Sequence, residues 1–183
     1  AGIVTGQRID QRLYRIRLND PTTVKLDSPV EIDGVRYSCS YVELGDPGIP
    51  HAVVPYRGLQ KADENELREL GRKIRWYADF PKGANVNFYE IIGEDLVCER
   101  TFERGVEDFT YACGTGTGSV VTVLTLQGRV SGKDVRVTMP GGELRIDAER
   151  VHSHIASLYL TGPTNIVCKG EITDEDLPPI PGM

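Results

Sequence analysis

The sequence lacks closely spaced cysteines. Cys39, Cys98, Cys113 and Cys168 form no CxxC and no paired spacing. That argues against a zinc site or a disulfide framework and makes a reducing cytoplasm the expected compartment. Positive charge is also short, with 21 Lys and Arg against 27 Asp and Glu and a net charge of −6. A binder of nucleic acid or of an anionic membrane would need a clustered basic face. No run approaches the ~20 apolar residues of a membrane span. The opening AGIVTGQRID has no basic region, apolar core or small-residue cleavage site of a secretory leader. It has no initiator Met either. Removal of a single Met and membership of something longer fit that start equally well.

Repeats and low-complexity tracts are absent too. The 183 residues suffice for one ordinary domain or two small lobes, with a core that needs no disulfide or metal. Most of the chain reads as short strands. Leu13–Leu18 alternates and stops at Asn19-Asp20-Pro21; 30–37 reads as a hairpin turning at Asp33-Gly34; 40–43 and 50–54 follow. Residues 62–78 carry a helical pattern, with Asp63 as N-cap, Glu66 three residues on, and Leu67, Leu70, Ile74 and Tyr77 on one face. Strands over 87–92 and 95–102 pair across Gly93-Glu94. A second helix is expected over 115–127, closed by Gly128. Its Val and Thr are poor helix formers, so only burial would stabilise it. Strands over 135–139, 143–147 and 155–160 complete an α+β chain built around one buried and one amphipathic helix, with a loose tail over 174–181.

The most informative stretch runs from Glu103 to Ser119. Cys113 precedes Gly114-Thr115-Gly116-Thr117-Gly118-Ser119 at the start of the expected buried helix. Glycines there leave backbone N–H groups uncovered, which suits an anion, and the helix dipole is expected to lower the thiol pKa. A carboxylate held at that point would put its α-carbon beside the sulfur. The same pattern equally describes a small buried Cys in a Gly-rich turn. A phosphate loop fits poorly, because both the Lys-Ser/Thr ending and GxGxxG are missing. Glu103-Arg104 lies ten residues before the thiol; an adjacent acid and base suit an α-amino acid, though such a pair is also an ordinary solvated strand end. Asn85 and Asn87 offer amides that donate to a carboxylate and accept from an ammonium. His51 follows a turn and reads either as a general base or orienting group or as a surface or otherwise satisfied histidine. His152 and His154 receive no role. Cys39, Cys98 and Cys168 read as core thiols.

Glu103-Arg104-Gly105, Ala112-Cys113-Gly114-Thr115-Gly116, Pro140-Gly141-Gly142, Leu160-Thr161-Gly162-Pro163 and Gly170-Glu171-Ile172 together resemble the diaminopimelate epimerase family. Pro50-His51-Ala52-Val53 and Phe80-Pro81 with Asn85-Val86-Asn87-Phe88 fall in the same order, so the resemblance spans roughly residues 3–172. It implies inversion of an amino-acid α-carbon by two opposed thiols, without pyridoxal phosphate or metal. Each thiol sits at a helix N-terminus in one of two similar lobes. LL-diaminopimelate would become the meso form, a lysine and peptidoglycan precursor. By resemblance, Cys113 is one thiol and Glu103 its partner and a contact for the substrate ammonium. Arg104 and Asn85 would hold the distal amino-acid group, the N–H groups of Gly114 and Thr115 the carboxylate, and His51 would pair with the other thiol.

Three departures qualify that implication. No Cys-Gly-Asn-Gly loop is present, and Tyr37-Ser38-Cys39-Ser40-Tyr41 does not replace it. Gly48-Ile49-Pro50-His51 stands where the family has Gly-Asn-Pro-His, and Phe109-Thr110-Tyr111 replaces more polar residues. The expected division is therefore 1–19 as remnant strands of an N-terminal lobe, 20–162 as the C-terminal lobe, and 163–183 as a return strand and tail. The expected partners are an amino-acid substrate and a complementary lobe or chain, and a homodimer is compatible with this. The chain alone is expected to be a poor catalyst. Alternatives are a related racemase, for example of histidine, an isomerase of an unsaturated or hydroxy acid, and an amino-acid-binding or assembly half without turnover.

Overall fold

The computed structural model describes residues 4–171. Its strands are β1 (Gly6–Asp10), β2 (Leu13–Arg17), β3 (Pro21–Lys25), β4 (Val30–Ile32), β5 (Val35–Tyr37), β6 (Ser40–Leu44), β7 (Ile49–Pro55), β8 (Asn85–Gly93), β9 (Leu96–Glu103), β10 (Asp108–Thr110), β11 (Val135–Met139), β12 (Gly142–Val151) and β13 (His154–Pro163). Helix α1 is Glu64–Arg75 and α2 is Gly114–Leu126. One sheet runs β1-β2-β13-β12-β11-β9-β8-β7-β6-β3, with β10 against β9, while β4 and β5 form a separate hairpin.

Every pair in the large sheet is antiparallel except β7 with β8 and β9 with β11. Parallel neighbours need a crossover, and these two crossovers carry the two helices. Both step the same way along the sheet, but β7 and β9 run in opposite directions because β8 pairs antiparallel with β9. Right-handed crossovers then place α1 and α2 on opposite faces. Two cores follow. Leu67 and Ile74 of α1 pack with Val54, Val86, Phe88, Cys98 and Phe102. Val120, Val121, Val123 and Leu124 of α2 pack with Val53, Tyr89, Val97, Val137, Ile146 and Leu158. Strand β9 shows the period of two directly, sending Val97 to one core and Cys98 to the other.

Helix α2 is buried from Gly116 to Thr125. Burying a Val or Leu side chain is worth roughly 1.5–3 kcal/mol, well above the roughly 0.5 kcal/mol that a β-branched residue costs in a helix. That difference is why this apolar segment is helical. Gly128 ends it at φ 67°, as its position in the sequence indicates. Asp63 caps α1 by accepting from Asn65 and Glu66 N–H at 2.9 and 3.0 Å. The β4–β5 hairpin turns through Asp33 and Gly34, both at positive φ.

Several expectations need correction. Asn19-Asp20 does end β2, but a strand not expected from the sequence, β3, begins at Pro21, opposite Leu44. No strand forms over 164–171, against the expected return strand, and the rest of that segment and the tail lie outside the described residues. Cys168 is exposed rather than a core thiol, whereas Cys39 and Cys98 are buried as expected. Among the described residues no helix is long and apolar enough to cross a membrane.

Candidate active site

The sheet face that receives α2 changes character along the helix. Toward the C-terminal end it is apolar. Toward Cys113 the alternation of β7, β8 and β9 brings His51, Asn85, Asn87, Glu99, Thr101 and Glu103 to the same side. Buried polar side chains need partners, and these form a connected set.

Cys113 is the N-cap of α2 and is 9% exposed. Its sulfur lies 3.7 Å from Thr115 Oγ1 and faces the Gly116 N–H. Burial pushes the thiol up to about 11, and the nearby Glu103 and Glu99 carboxyls add to that shift, while Gly116 and Thr115 oppose it. The expectation of a lowered thiol pKa is thus reversed: at this site desolvation outweighs the helix N-terminus. Gly114 and Thr115 are partly exposed, and no side chain caps the helix end. Their N–H groups therefore remain available to a carboxylate.

His51 is not a surface histidine. It is fully buried, and burial reinforced by the nearby Arg104 charge pushes it down to about 3, so the ring is neutral. Asn87 Oδ1 accepts from Thr101 Oγ1 at 3.1 Å, and Asn87 Nδ2 donates to Ala52 O at 3.1 Å. With the amide orientation fixed in this way, Nδ2 donates its other hydrogen to His51 Nδ1, 3.2 Å away. The ring proton is then on Nε2, which has no partner among the described residues.

Asn85 is 5% exposed, and both ends of its amide meet backbone: Nδ2 donates to Pro50 O at 3.1 Å and Oδ1 accepts from Arg104 N at 2.8 Å. It ties the end of β9 to β7. The Arg104 guanidinium donates to Lys82 O at 3.0 Å. Glu103 accepts from Thr110 Oγ1 at 2.9 Å across the β9–β10 pair. The structure thus gathers Cys113, Gly114, Thr115, Glu103, Arg104, Asn85 and His51 around the start of α2.

Thr101, Thr117 and Glu99 were not singled out by sequence reasoning. Glu99 is 1% exposed, with Oε2 2.7 Å from Thr117 Oγ1 and Oε1 3.3 Å from Thr101 Oγ1. A signal for it existed, since the period of two puts Glu99 on the same face as Val97. Among the described residues no group of three His, Cys, Asp or Glu side chains is placed to hold a metal.

The chain is similar to a diaminopimelate epimerase from Aquifex aeolicus, 34% identical over 180 residues, which covers 97% of this chain and 61% of that protein. It is 38% identical over 145 residues to a diaminopimelate epimerase from Chlorobaculum tepidum, covering 77% of this chain and 53% of that protein. It therefore spans only part of the length of these relatives. Among solved structures, a probable proline racemase from Agrobacterium radiobacter with bound carbonate superposes with a TM-score of 0.69 at 18% identity, covering 96% of this chain and 59% of that one. A hydroxyproline epimerase from Agrobacterium vitis with bound trans-4-hydroxy-L-proline gives 0.62 at 20%, covering 88% and 54%. These two share the fold. Residues 45–167 match the family model described as diaminopimelate epimerase, and the chain belongs to that family.

Proposed function

We propose that this chain supplies one side of an amino-acid epimerase site in which Cys113 exchanges a proton with the substrate α-carbon. The observation that carries this reading is the thiol at the uncapped start of a buried helix, with Gly116 N–H and Thr115 directed at its sulfur. A substrate carboxylate on the Gly114 and Thr115 N–H groups brings its α-carbon next to Sγ. Glu103 receives the α-ammonium. Arg104, positioned by Asn85, receives the distal carboxylate.

The raised pKa assigns Cys113 its resting role. It waits as a thiol and donates its proton to the carbanion face it meets. The thiolate left behind is held by Gly116 N–H, Thr115 and the helix N-terminus. In the reverse direction that thiolate removes the α-proton. One proton enters and one leaves, from opposite faces, so a second acid–base group is required. Cys39 and Cys98 pack in the α1 core and Cys168 is exposed. We assign the second group to protein outside residues 4–171, with the unpartnered His51 Nε2–H available to orient it. Residues 1–19 and 163–183 would belong with that second lobe, whether it is part of this chain or a complementary one. Diaminopimelate is the favoured substrate, because the family model and the curated relatives carry that name. The free thiols fit a reducing cytoplasm.

A second reading has its own observation. Tyr111 is 80% exposed two residues before the thiol, and a ring there would suit an amino acid with a flat side chain such as histidine.

The test is protection of Cys113 from alkylation, read by peptide mass spectrometry on the chain itself. The expected result is protection by diaminopimelate and weaker protection by histidine. Stronger protection by histidine would favour the second reading, and no protection by any amino acid would overturn the site. In deuterated water the chain alone should invert neither isomer; inversion would overturn the two-sided mechanism.

A further inference from the structure

The buried chain Cys113 carbonyl–Thr117–Glu99–Thr101–Asn87 contains a proton-counting problem. Thr117 Oγ1 lies 2.7 Å from Glu99 Oε2 and 3.0 Å from Cys113 O. Thr101 Oγ1 lies 3.1 Å from Asn87 Oδ1 and 3.3 Å from Glu99 Oε1. With Glu99 ionised, all four of those oxygens are acceptors and the two hydroxyls supply only two hydrogens. One hydrogen on Glu99 Oε2 resolves most of this. Glu99 then donates to Thr117, Thr117 donates to Cys113 O, and Thr101 donates to Asn87.

The surroundings agree with the count. Among the described residues Glu99 has neither an ion-pair partner nor a charged hydrogen-bond donor. An unpaired buried carboxylate is costly, and the neutral acid is the form such a site favours. The positive charges beside α2 have partners of their own: Arg129 donates to Tyr89 Oη at 2.9 Å and Arg150 to Thr125 O at 3.2 Å. Cys113 heads α2, Tyr89 stands opposite on β8, Glu103 lies further along β9, and His51 is neutral beyond Asn87. Cys98 and Arg100, adjacent along β9, alternate to the other face of the sheet, and β11 presents Val137 and Met139 to the α2 core. Burial accordingly raises the Glu99 carboxyl to about 7.

We propose that Glu99 is a positioning residue that works in its protonated form, locking Thr117 onto the Cys113 carbonyl and so fixing the turn that presents the thiol. Loss of the proton frees Thr117 to turn toward the carboxylate and sets a negative charge beneath the sulfur, which opposes thiolate formation. The role deepens, and rests on, the reading of Cys113 as the reacting thiol.

The experiment is the rate of Cys113 alkylation by iodoacetamide in the wild-type chain and in Glu99→Gln, followed on the Cys113 peptide across pH. The amide keeps a hydrogen for Thr117 and cannot ionise. The expected ratio of variant to wild-type rate is about one near pH 5.5 and about threefold near pH 8.5, the equivalent of about half a pK unit at the thiol. A ratio that does not change with pH would mean a purely structural role and would overturn the proposal. If Glu99→Gln fails to fold, the wild-type infrared spectrum decides. A protonated-carboxyl stretch should persist near pH 6.5 and vanish near pH 8.5, and its absence near pH 6.5 would overturn the proposal. Both readouts are independent of turnover. A chain that protects no thiol with any amino acid refutes the proposed function, whereas a pH-independent ratio refutes the role of Glu99.

Discussion

Gly116 and Asn87 meet with no room for a methyl group between them: a Cβ on Gly116 would overlap Asn87 Oδ1 and stand 3.2 Å from Cys113 Sγ. The helix carrying the thiol can therefore sit against β8 only because residue 116 is glycine. Asn87 in turn fixes the tautomer of His51 and receives Thr101. The thiol, the histidine and the buried carboxyl are thus coupled through a single contact.

Gly116→Ala should destabilise the fold by about 1–3 kcal/mol, the usual range for overpacking a rigid core. The clash falls on a side chain with four polar contacts, which cannot move aside without breaking some of them. Gly128→Ala is the comparison, because a Cβ there meets open space at φ 67°; it should cost about 1 kcal/mol from backbone strain alone. Urea midpoints measure both, and a Gly116→Ala variant as stable as wild type would show that the contact is loose.

The four thiols should label in a definite order. Cys168 is exposed and should react first with a small alkylating reagent near neutral pH. Cys113 follows, at 9% exposure and with its pKa held near 11. Cys98, 8% exposed and also raised, should react on the same slow scale as Cys113, and Cys39, raised to about 12, only on unfolding. Time-resolved peptide mapping gives the order directly. Cys113 reacting ahead of Cys168 would mean that the helix N-terminus outweighs burial after all.

The elements legible in the sequence are those whose cause is local. Asp63, Gly128 and Asp33-Gly34 act within a few residues of themselves, and the structure uses each as the sequence indicates. Helix α2 was legible by a different route, since a run of Val and Thr between glycines is stable as a helix only when surrounded. What was not legible depends on contacts distant in sequence. β3 pairs with β6 about twenty residues on, and Pro21 tolerates a strand because β3 is an edge. The thiol pKa depends on how deeply β8, β9 and α2 bury Cys113, which no local pattern encodes. The Glu99 network needs three elements to converge, so only its odd placement on an apolar face was visible.

Asp63→Ala should cost about 1 kcal/mol, the usual value of an N-cap side chain. Asp63 accepts from two first-turn N–H groups, and its charge also meets the helix N-terminus. Asp63→Asn keeps the acceptor and loses only the charge, so it should retain most of the stability. Urea unfolding of both variants separates the two contributions, and equal losses would make charge the dominant one.

Two buried groups should shape the pH dependence of stability in opposite directions. His51 has a folded pKa near 3 against an ordinary 6.5. Between those values the unfolded chain binds the extra proton, so stability falls as pH drops from about 6.5 toward 3. Glu99 has a folded pKa near 7 against an ordinary 4.5. There the folded chain holds the extra proton, so its contribution is complete below about 4.5 and is lost as pH rises to about 7. The windows overlap between about 4.5 and 6.5, where the two slopes offset each other and these groups leave stability nearly level. Glu99→Gln removes one slope and leaves the other. Its urea midpoint should therefore climb with pH across that window and flatten above about 6.5. Wild-type and variant profiles that run parallel from about pH 4.5 to 7 would mean that Glu99 is ionised in the folded protein, against the donor count in its network.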